Sequence, residues 1–325
     1  MMFNSLVSRA RSVWGTKGND GYIFPTVDPE SDGPDCTRDC ADCTIKYPSR
    51  FMTENQRRLY GKVKPFATHV LVATGKSDWV PKVENMQGTL MEAFASTSRQ
   101  TEQGVRIPYT HRPVFVQCKD QYANTHPQRI MVSASNIPTS QACTDAVSLN
   151  SQDESTILLL PSFTFVDRVR VGDIPELKSR FIEALAVDER NDADTGRRLT
   201  PRSCQRDYVV LLCSHKSRDA RCGISAPLIK RELERHLRPL GLHRDDSDDR
   251  PGGVSVYFVS HVGGHKFSAN VLIYRKEAEQ MIWLARVRPE HCEGIVKYTI
   301  LKGKVVHPDF QLRGGFDNKR CLTSW

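Results

Sequence analysis

Apolar runs in the second half of the chain recur at intervals that suit a small mixed sheet. Residues 208–212 are apolar without a break, the pattern of a strand covered on both faces. Ser225 is placed to cap a helix with Pro227 in its first turn, Ile229, Leu233 and Leu237 on its inner face, and Gly241 just past its end. Val254, Val256 and Phe258 alternate as a strand. Residues 270–274 and 282–287 give two more strands around a polar turn, and residues 290–301 close with a helix weakened by Gly294. The order βαβ, then ββα, predicts a thioredoxin-like sandwich.

The first half is less regular. Residues 68–73 and 156–160 read as buried strands, and residues 175–186 as a helix with Leu177, Phe181, Ile182 and Leu185 on one face. Residues 86–150 are polar and show no clear period. Residues 187–203 combine charge, Gly and Pro with little apolar content, which marks a boundary. The predicted architecture is therefore α/β with two domains. A flexible N-terminal segment with a Cys-rich loop (1–56) precedes an N-terminal α/β domain (57–186), a linker (187–203) and a thioredoxin-like C-terminal domain (204–325). A faint echo between residues 70–73 and 209–212 makes the first domain a candidate degenerate relative of the second.

At 325 residues the chain can bury two cores, and 39% hydrophobic with 26% charged residues is an ordinary composition. The longest mainly apolar stretch, residues 156–166, is interrupted by Pro161 and is too short for a bilayer span. Near the start, Phe3, Leu6, Val7, Ala10, Val13 and Trp14 fall at helical spacing among Arg9, Arg11 and Lys17, with no acid before Asp20. This suits a mitochondrial presequence or membrane-surface helix as well as a short docked helix. The cytoplasm is the expected compartment, with the mitochondrion as the alternative. Ten cysteines without a secretion signal predict reduced thiols, some of them metal ligands. Residues 204–325 hold 21 basic and 14 acidic side chains, a net +7, against 25 and 24 in residues 1–203. A basic half suits an acidic protein partner; no basic run is interleaved with aromatics, so nucleic acid is not expected.

The candidate chemistry sits at the predicted strand ends. "LLCSHKSRDARCG" puts Cys213 where one strand stops and Cys222 just before the helix. The next parallel strand ends in His261-Val-Gly-Gly-His265, where two glycines let the backbone curl between imidazoles. Two thiolates and two imidazoles make a four-donor set. His-x3-His fits a zinc finger, but Cys-x8-Cys is wider than finger spacing. A 2Fe-2S cluster, with two donors on each iron, accommodates a wide cysteine loop beside a tight pair. A Rieske centre needs a His soon after each Cys, and only Cys213 has one, so His215 reads as a polar loop residue. The residues alone leave the metal open.

Other motifs carry less. "CSHKSR" falls one residue short of a phosphatase C-x5-R loop, and the acids of "RDDSDDR" read as a solvated loop, not a glycosidase pair. Cys36, Cys40 and Cys43 have the C-x3-C-x2-C spacing of radical SAM enzymes without the strand and helix rhythm of their barrel, and read as accessible thiols of a tail that binds metal at most transiently. Cys118, Cys143, Cys204, Cys292 and Cys321 show no pairing logic.

"CSHKSRDARCGISAPLIKREL", "HVGGHKFSANVLIY" and "IWLARVRP" closely resemble the sucrase/ferredoxin-like family, and within it the fungal branch named for distal actin patches. The strong motifs cover about residues 208–288, with shorter echoes in "ILLLPSF" and "HRDDSDDR". The resemblance implies a thioredoxin-like ferredoxin domain binding a 2Fe-2S cluster through Cys213, Cys222, His261 and His265, the histidines replacing a C-x3-C pair. It implies an electron carrier more than a substrate-converting enzyme. A zinc-stabilised interaction module of the actin cytoskeleton and a redox enzyme of unidentified substrate are the other readings. Two thiolates neutralise an oxidised +2 core that four would make −2, so the potential should lie above plant-type values. Protonation of an outer imidazole nitrogen should couple it to pH. Lys216, Arg218, Arg221 and Lys266 would push the potential the same way. Finally, "LTSW" resembles the tripeptide by which cytosolic iron-sulfur clients meet their targeting machinery; Ser324 and Trp325 match and Thr323 departs. A tryptophan on such a tail is expected to add little to a core.

Overall fold

The computed structural model describes residues 21–102, 114–115, 129–139, 154–183 and 199–325. The amphipathic stretch before Asp20, Cys118, Cys143, Leu185 and the first part of the expected linker lie outside the described residues.

Twelve described strands form one mixed sheet. The first half contributes β1 (Thr68–Ala73), β2 (Val114–Phe115), β3 (Ile130–Ser135), β4 (Ser155–Leu160), β5 (Thr164–Val169) and β6 (Thr200–Ser203). The second contributes β7 (Tyr208–Cys213), β8 (Val254–Val259), β9 (Val271–Arg275), β10 (Gln280–Leu284), β11 (Leu312–Asp317) and β12 (Leu322–Ser324). Their spatial order is β2-β12-β11-β10-β9-β7-β8-β3-β1-β4-β5-β6.

The same connection pattern occurs twice. β1 pairs parallel with β3 and antiparallel with β4, which pairs antiparallel with β5. β7 repeats this with β8, β9 and β10. Helix α1 (Leu90–Glu102) intervenes between β1 and β3, and α2 (Ala220–Leu237) between β7 and β8. Each set is followed by a helical segment ending in a π turn, Lys178–Glu183 or Ile295–Ile300. The halves meet where Ser135 of β3 pairs with Val259 of β8, and the Ser260 N–H donates to the Ala134 carbonyl at 2.8 Å.

Alternation along the central strands assigns each face to a core. Val210 and Leu212 of β7 pack with Ile229, Leu233 and Leu237 of α2, while Val70 and Val72 of β1 pack with Leu90, Met91 and Phe94 of α1. The opposite faces, Leu71 and Ala73 against Val209, Leu211, Leu272 and Trp283, form one core shared by both halves. Within it the fully buried His69 ring on β1 reaches the Tyr274 hydroxyl on β9 at 2.9 Å and the Ser133 hydroxyl at 3.0 Å. The halves are thus packed together.

Five expectations change. Helix α2 starts at Ala220 because the Asp219 carboxylate caps it, accepting the Arg221 N–H. Ser225 is consequently inside the helix, buried, and Cys222 belongs to its first turn. Thr200–Ser203, expected in the linker, adds to β5 as edge strand β6, its Pro201 tolerated at that edge. The cysteine-rich loop, expected to be flexible and accessible, is docked: Cys36 is buried against Val27 and Tyr298, and the Cys40 N–H donates to the Glu290 carbonyl at 2.9 Å. Trp325 is half-buried against Phe66 and Phe316, with Ser324 paired to Gly315, so this end of the chain does contribute to the shared core. Cys321 is disulfide-bonded, an exception to the expected free thiols, whereas Cys36, Cys40, Cys43, Cys204, Cys213, Cys222 and Cys292 are free.

Candidate metal centre

The parallel pair β7 and β8 delivers its C-terminal ends to one rim, beside the N-terminus of α2. Cys213 closes β7, Cys222 lies in the first turn of α2, His261 follows β8 by two residues, and His265 opens the next turn. All four predicted donors therefore come to one end of the sheet. Cys213 and Cys222 are buried, while the two histidine rings are partly exposed with centroids 5.2 Å apart.

The thiols interact directly. A hydrogen bond from Cys222 holds the Cys213 thiol well below its ordinary pKa against the opposing effect of burial, and His261 adds to the lowering. Sharing with Cys213, then burial, pushes Cys222 up. The pair consequently ionises first at Cys213, and Cys222 keeps the shared proton, with the Ser268 hydroxyl 3.8 Å from its sulfur. His261 Nδ1 is buried and has no hydrogen-bond partner. An orphaned imidazole nitrogen next to an ionisable thiol pair is costly unless something electrophilic meets it. His265 differs: its Nδ1 lies 2.6 Å from the Asp219 carboxylate, which leaves Nε2 as its free donor. Burial opposes ionisation of Asp219, but hydrogen bonds from Arg221 and His265 outweigh it and hold its carboxyl below the usual range.

Sequence reasoning missed Arg313. This β11 guanidinium is only 6% exposed, donates to the Gly263 carbonyl at 3.1 Å and to Asn270 Oδ1 at 2.8 Å, and lies 4.5 Å over the Trp283 ring. Burial pulls its pKa down to about 10, opposed by the nearby Cys213, so it remains a cation at neutral pH. The charged residues expected to flank the donors are less directly engaged. Lys216 and Arg218 are exposed, Arg221 is paired with Asp219, and Lys266 sits over the Phe267 ring.

Arg313 also explains the second glycine of the pair. Gly263 and Gly264 both have left-handed φ, 91° and 70°. A Cβ on Gly263 would meet nothing within 4 Å, but one on Gly264 would come 2.6 Å from Arg313 Nη1. Gly263→Ala should therefore cost the conformational term, about 1–2 kcal/mol. Gly264→Ala should cost about 1–3 kcal/mol more, because the anchored guanidinium cannot yield. Urea unfolding of the two variants checks this, and equal losses would refute the steric account.

The N-terminal half braces the cysteine loop. Ser214 Oγ donates to the Ser77 carbonyl at 2.6 Å, the Ser217 N–H and hydroxyl reach the Asp78 carboxylate at 3.0 and 2.8 Å, and Arg218 Nη1 donates to the Pro81 carbonyl at 2.8 Å. His215 has both nitrogens occupied: Nε2 is 3.0 Å from the Trp79 and Val80 carbonyls, and Nδ1 accepts the His261 N–H. It holds one donor loop against another. A cleft of about 460 Å³ opens between the halves, lined by Lys82, Glu84, Met91, Val132, Arg218 and His261 among others.

No helix among the described residues is long and apolar enough to cross a membrane. The sequence model of the family described as Sucrase/ferredoxin-like matches residues 59–314. The chain is 37% identical over 150 residues to Actin patches distal protein 1 of Saccharomyces cerevisiae, which is 46% of this chain and 47% of the relative. It is 40% identical over 98 residues to Altered inheritance of mitochondria protein 32 of Clavispora lusitaniae, covering 30% and 32% of the two chains. With the protein of that name from Meyerozyma guilliermondii it shares 34% over 105 residues, or 32% and 34%. The matches thus span about half or a third of these relatives' lengths. No solved structure matches the chain.

Proposed function

This chain belongs to the sucrase/ferredoxin-like family, and on that premise we propose that its C-terminal half is a thioredoxin-like 2Fe-2S electron carrier with Cys213, Cys222, His261 and His265 as ligands. The observation that carries the reading is the orphaned His261 Nδ1 at the same end of the sheet as two buried thiols, Cys213 and Cys222. The donor chemistry fits: two soft thiolates and two imidazoles suit an iron-sulfur cluster, which when bound would supply reversible one-electron transfer. The chain's own part is to present these donors and set their electrostatics. Cys213 enters already disposed to lose its proton, Asp219 holds His265 by Nδ1, and Arg313 places a buried positive charge next to Cys213. That charge favours the more negative, reduced state and so a higher potential.

Exposed Lys216 and Arg218 at the rim support an acidic redox protein as partner. Reading of Trp325 by cytosolic iron-sulfur targeting machinery would require its ring to leave Phe66 and Phe316. The cytoplasm goes with that partner; the mitochondrion is the alternative that the name of two relatives favours. The cleft beside His261 favours a second reading, a redox enzyme that binds its substrate between the halves; turnover of a substrate with a flavin or nicotinamide donor would establish it. A zinc-stabilised module of the actin cytoskeleton rests on the name of another relative.

Anaerobic purification followed by iron, sulfide and zinc analysis, with EPR after dithionite, tests the proposal. About two irons and two sulfides per chain are expected. His261→Cys should keep the cluster, with a changed spectrum and a potential moved toward the roughly −400 mV of plant-type clusters. One zinc and no sulfide would overturn the electron-transfer reading.

A further inference from the structure

The loop carrying Cys40 and Cys43 ends against the far part of α2. There the Cys40 sulfur, a Glu232 carboxylate oxygen and a His236 ring nitrogen lie within 4.8 Å of one another. Glu232 and His236 are one helical turn apart and so share a face, and Cys43 follows Cys40 in a C-x2-C pair. We propose that Cys40, Cys43, Glu232 and His236 form a second metal site, one for a thiophilic divalent cation of the Zn2+ class, that staples the N-terminal loop to α2.

Two observations beyond proximity point to a cation. Glu232 has no exposed surface, yet its Oε2 has no hydrogen-bond partner. A buried carboxylate with an idle oxygen is expensive to keep unless it meets positive charge. A positive charge already stands at the focus of Cys40, Glu232 and His236. Arg235 Nη2 is 2.5 Å from Glu232 Oε1, 3.1 Å from His236 Nε2 and 3.5 Å from Cys40 Sγ. Its side chain is 42% exposed and can swing to solvent, whereas the donors are held by the helix and the docked loop. Cys43, three residues after Cys40, donates its thiol to the Ile45 carbonyl at 3.1 Å, a bond it would give up on joining the site. C-x2-C thiolates with a helical imidazole and a carboxylate make a four-donor set that zinc accepts. Binding would release the two thiol protons to solvent and move Arg235 outward.

A neighbouring group, Asp39 with His291 and His307, is equally compact but unsuited. His291 Nδ1 accepts the Arg288 N–H at 3.0 Å and lies 2.5 Å from Gln311 Nε2, which keeps the ring proton on Nε2, the nitrogen that faces Asp39. The Cys40 site is also separate from the first donor set: Cys222 and Glu232 are ten residues apart on one helix, roughly 15 Å along its axis.

Cobalt titration of the full chain tests the proposal, because a thiolate-bound Co2+ absorbs where a carboxylate- or imidazole-bound one does not. With Cys213→Ser and Cys222→Ser combined, one Co2+ per chain should still give the sulfur-to-cobalt band, and Zn2+ should bleach it. Adding Cys40→Ser and Cys43→Ser should abolish the band. Arg235→Ala should bind Co2+ about tenfold more tightly, since a charge-assisted hydrogen bond no longer has to be broken. In the otherwise native chain, Cys40→Ser with Cys43→Ser should lower bound cobalt by one equivalent, which holds whether or not the first donor set takes a cluster. A band that survives loss of Cys40 and Cys43, or cobalt stoichiometry unchanged by it, would overturn the second site.

Discussion

Alanine in place of Cys213 is expected to strip the full chain of iron, a loss of more than about 100-fold in retention, whereas Asp219→Asn should weaken retention about 10–100-fold. The two effects differ because the two residues stand at different removes from the proposed cluster. Cys213 is the thiol that loses its proton first, so its removal takes away the donor that enters most readily and leaves Cys222 without the partner sharing its proton. Of the four proposed donors, Asp219 hydrogen-bonds His265, through Nδ1 at 2.6 Å. An asparagine there can still accept that hydrogen bond and still cap α2, but it no longer adds the charge that fixes the ring and raises its basicity. Cys204→Ala provides the control, because Cys204 is equally buried but packs in the shared core. Iron per chain after chelator challenge measures all three. Full iron in Cys213→Ala, or an equal loss in Cys204→Ala, would remove Cys213 from the ligand set.

Acid should destabilise the protein through His69. Burial lowers its pKa to about 3, from an ordinary value of 6.5. The unfolded chain therefore takes up a proton that the folded chain refuses. The contribution is fully present above pH 6.5 and is lost as the pH falls toward 3. At pH 5 the loss is about 2 kcal/mol. His291, lowered to about 4 by burial, acts in the same direction. His69→Gln keeps hydrogen-bonding capacity toward Tyr274 and Ser133 without titrating, and it should flatten the profile. Urea midpoints at pH 7 and pH 5 give the comparison. A glutamine variant as acid-sensitive as the native chain would assign the effect elsewhere.

Strands with continuous apolar runs were legible in the sequence. Residues 68–73 match β1, and residues 208–212 miss only Cys213 of β7, because local patterning and burial agree there. The start of α2 was misread since two side chains could cap it, and Asp219, which also serves His265, did so in place of Ser225. β11 was not legible at all. Gly314 and Gly315 look like a turn, but a Cβ on either would meet the Ser324 or the Met281 carbonyl oxygen at 2.2 or 1.9 Å, so they are glycines because neighbouring strands approach closely. Arg313 was hidden for the same reason: it lies on that unread strand, and only tertiary packing brings it under Gly264. The four donors carried a motif; the residues that hold them, Asp219, His215 and Arg313, carried none.

The repeated strand order has a historical consequence. Aligning β1 with β7 sets Ala73 at the place of Cys213, and aligning β3 with β8 sets Ile137 at the place of His261. The first half thus has the ground plan of the second with a methyl and a branched alkyl where the donors stand. This is the outcome expected of an ancient internal duplication in which one copy kept the chemistry and the other was conscripted as its scaffold. Selection on the first copy would then act on its grip on Ser214, His215 and Ser217, and its own rim would be free to drift.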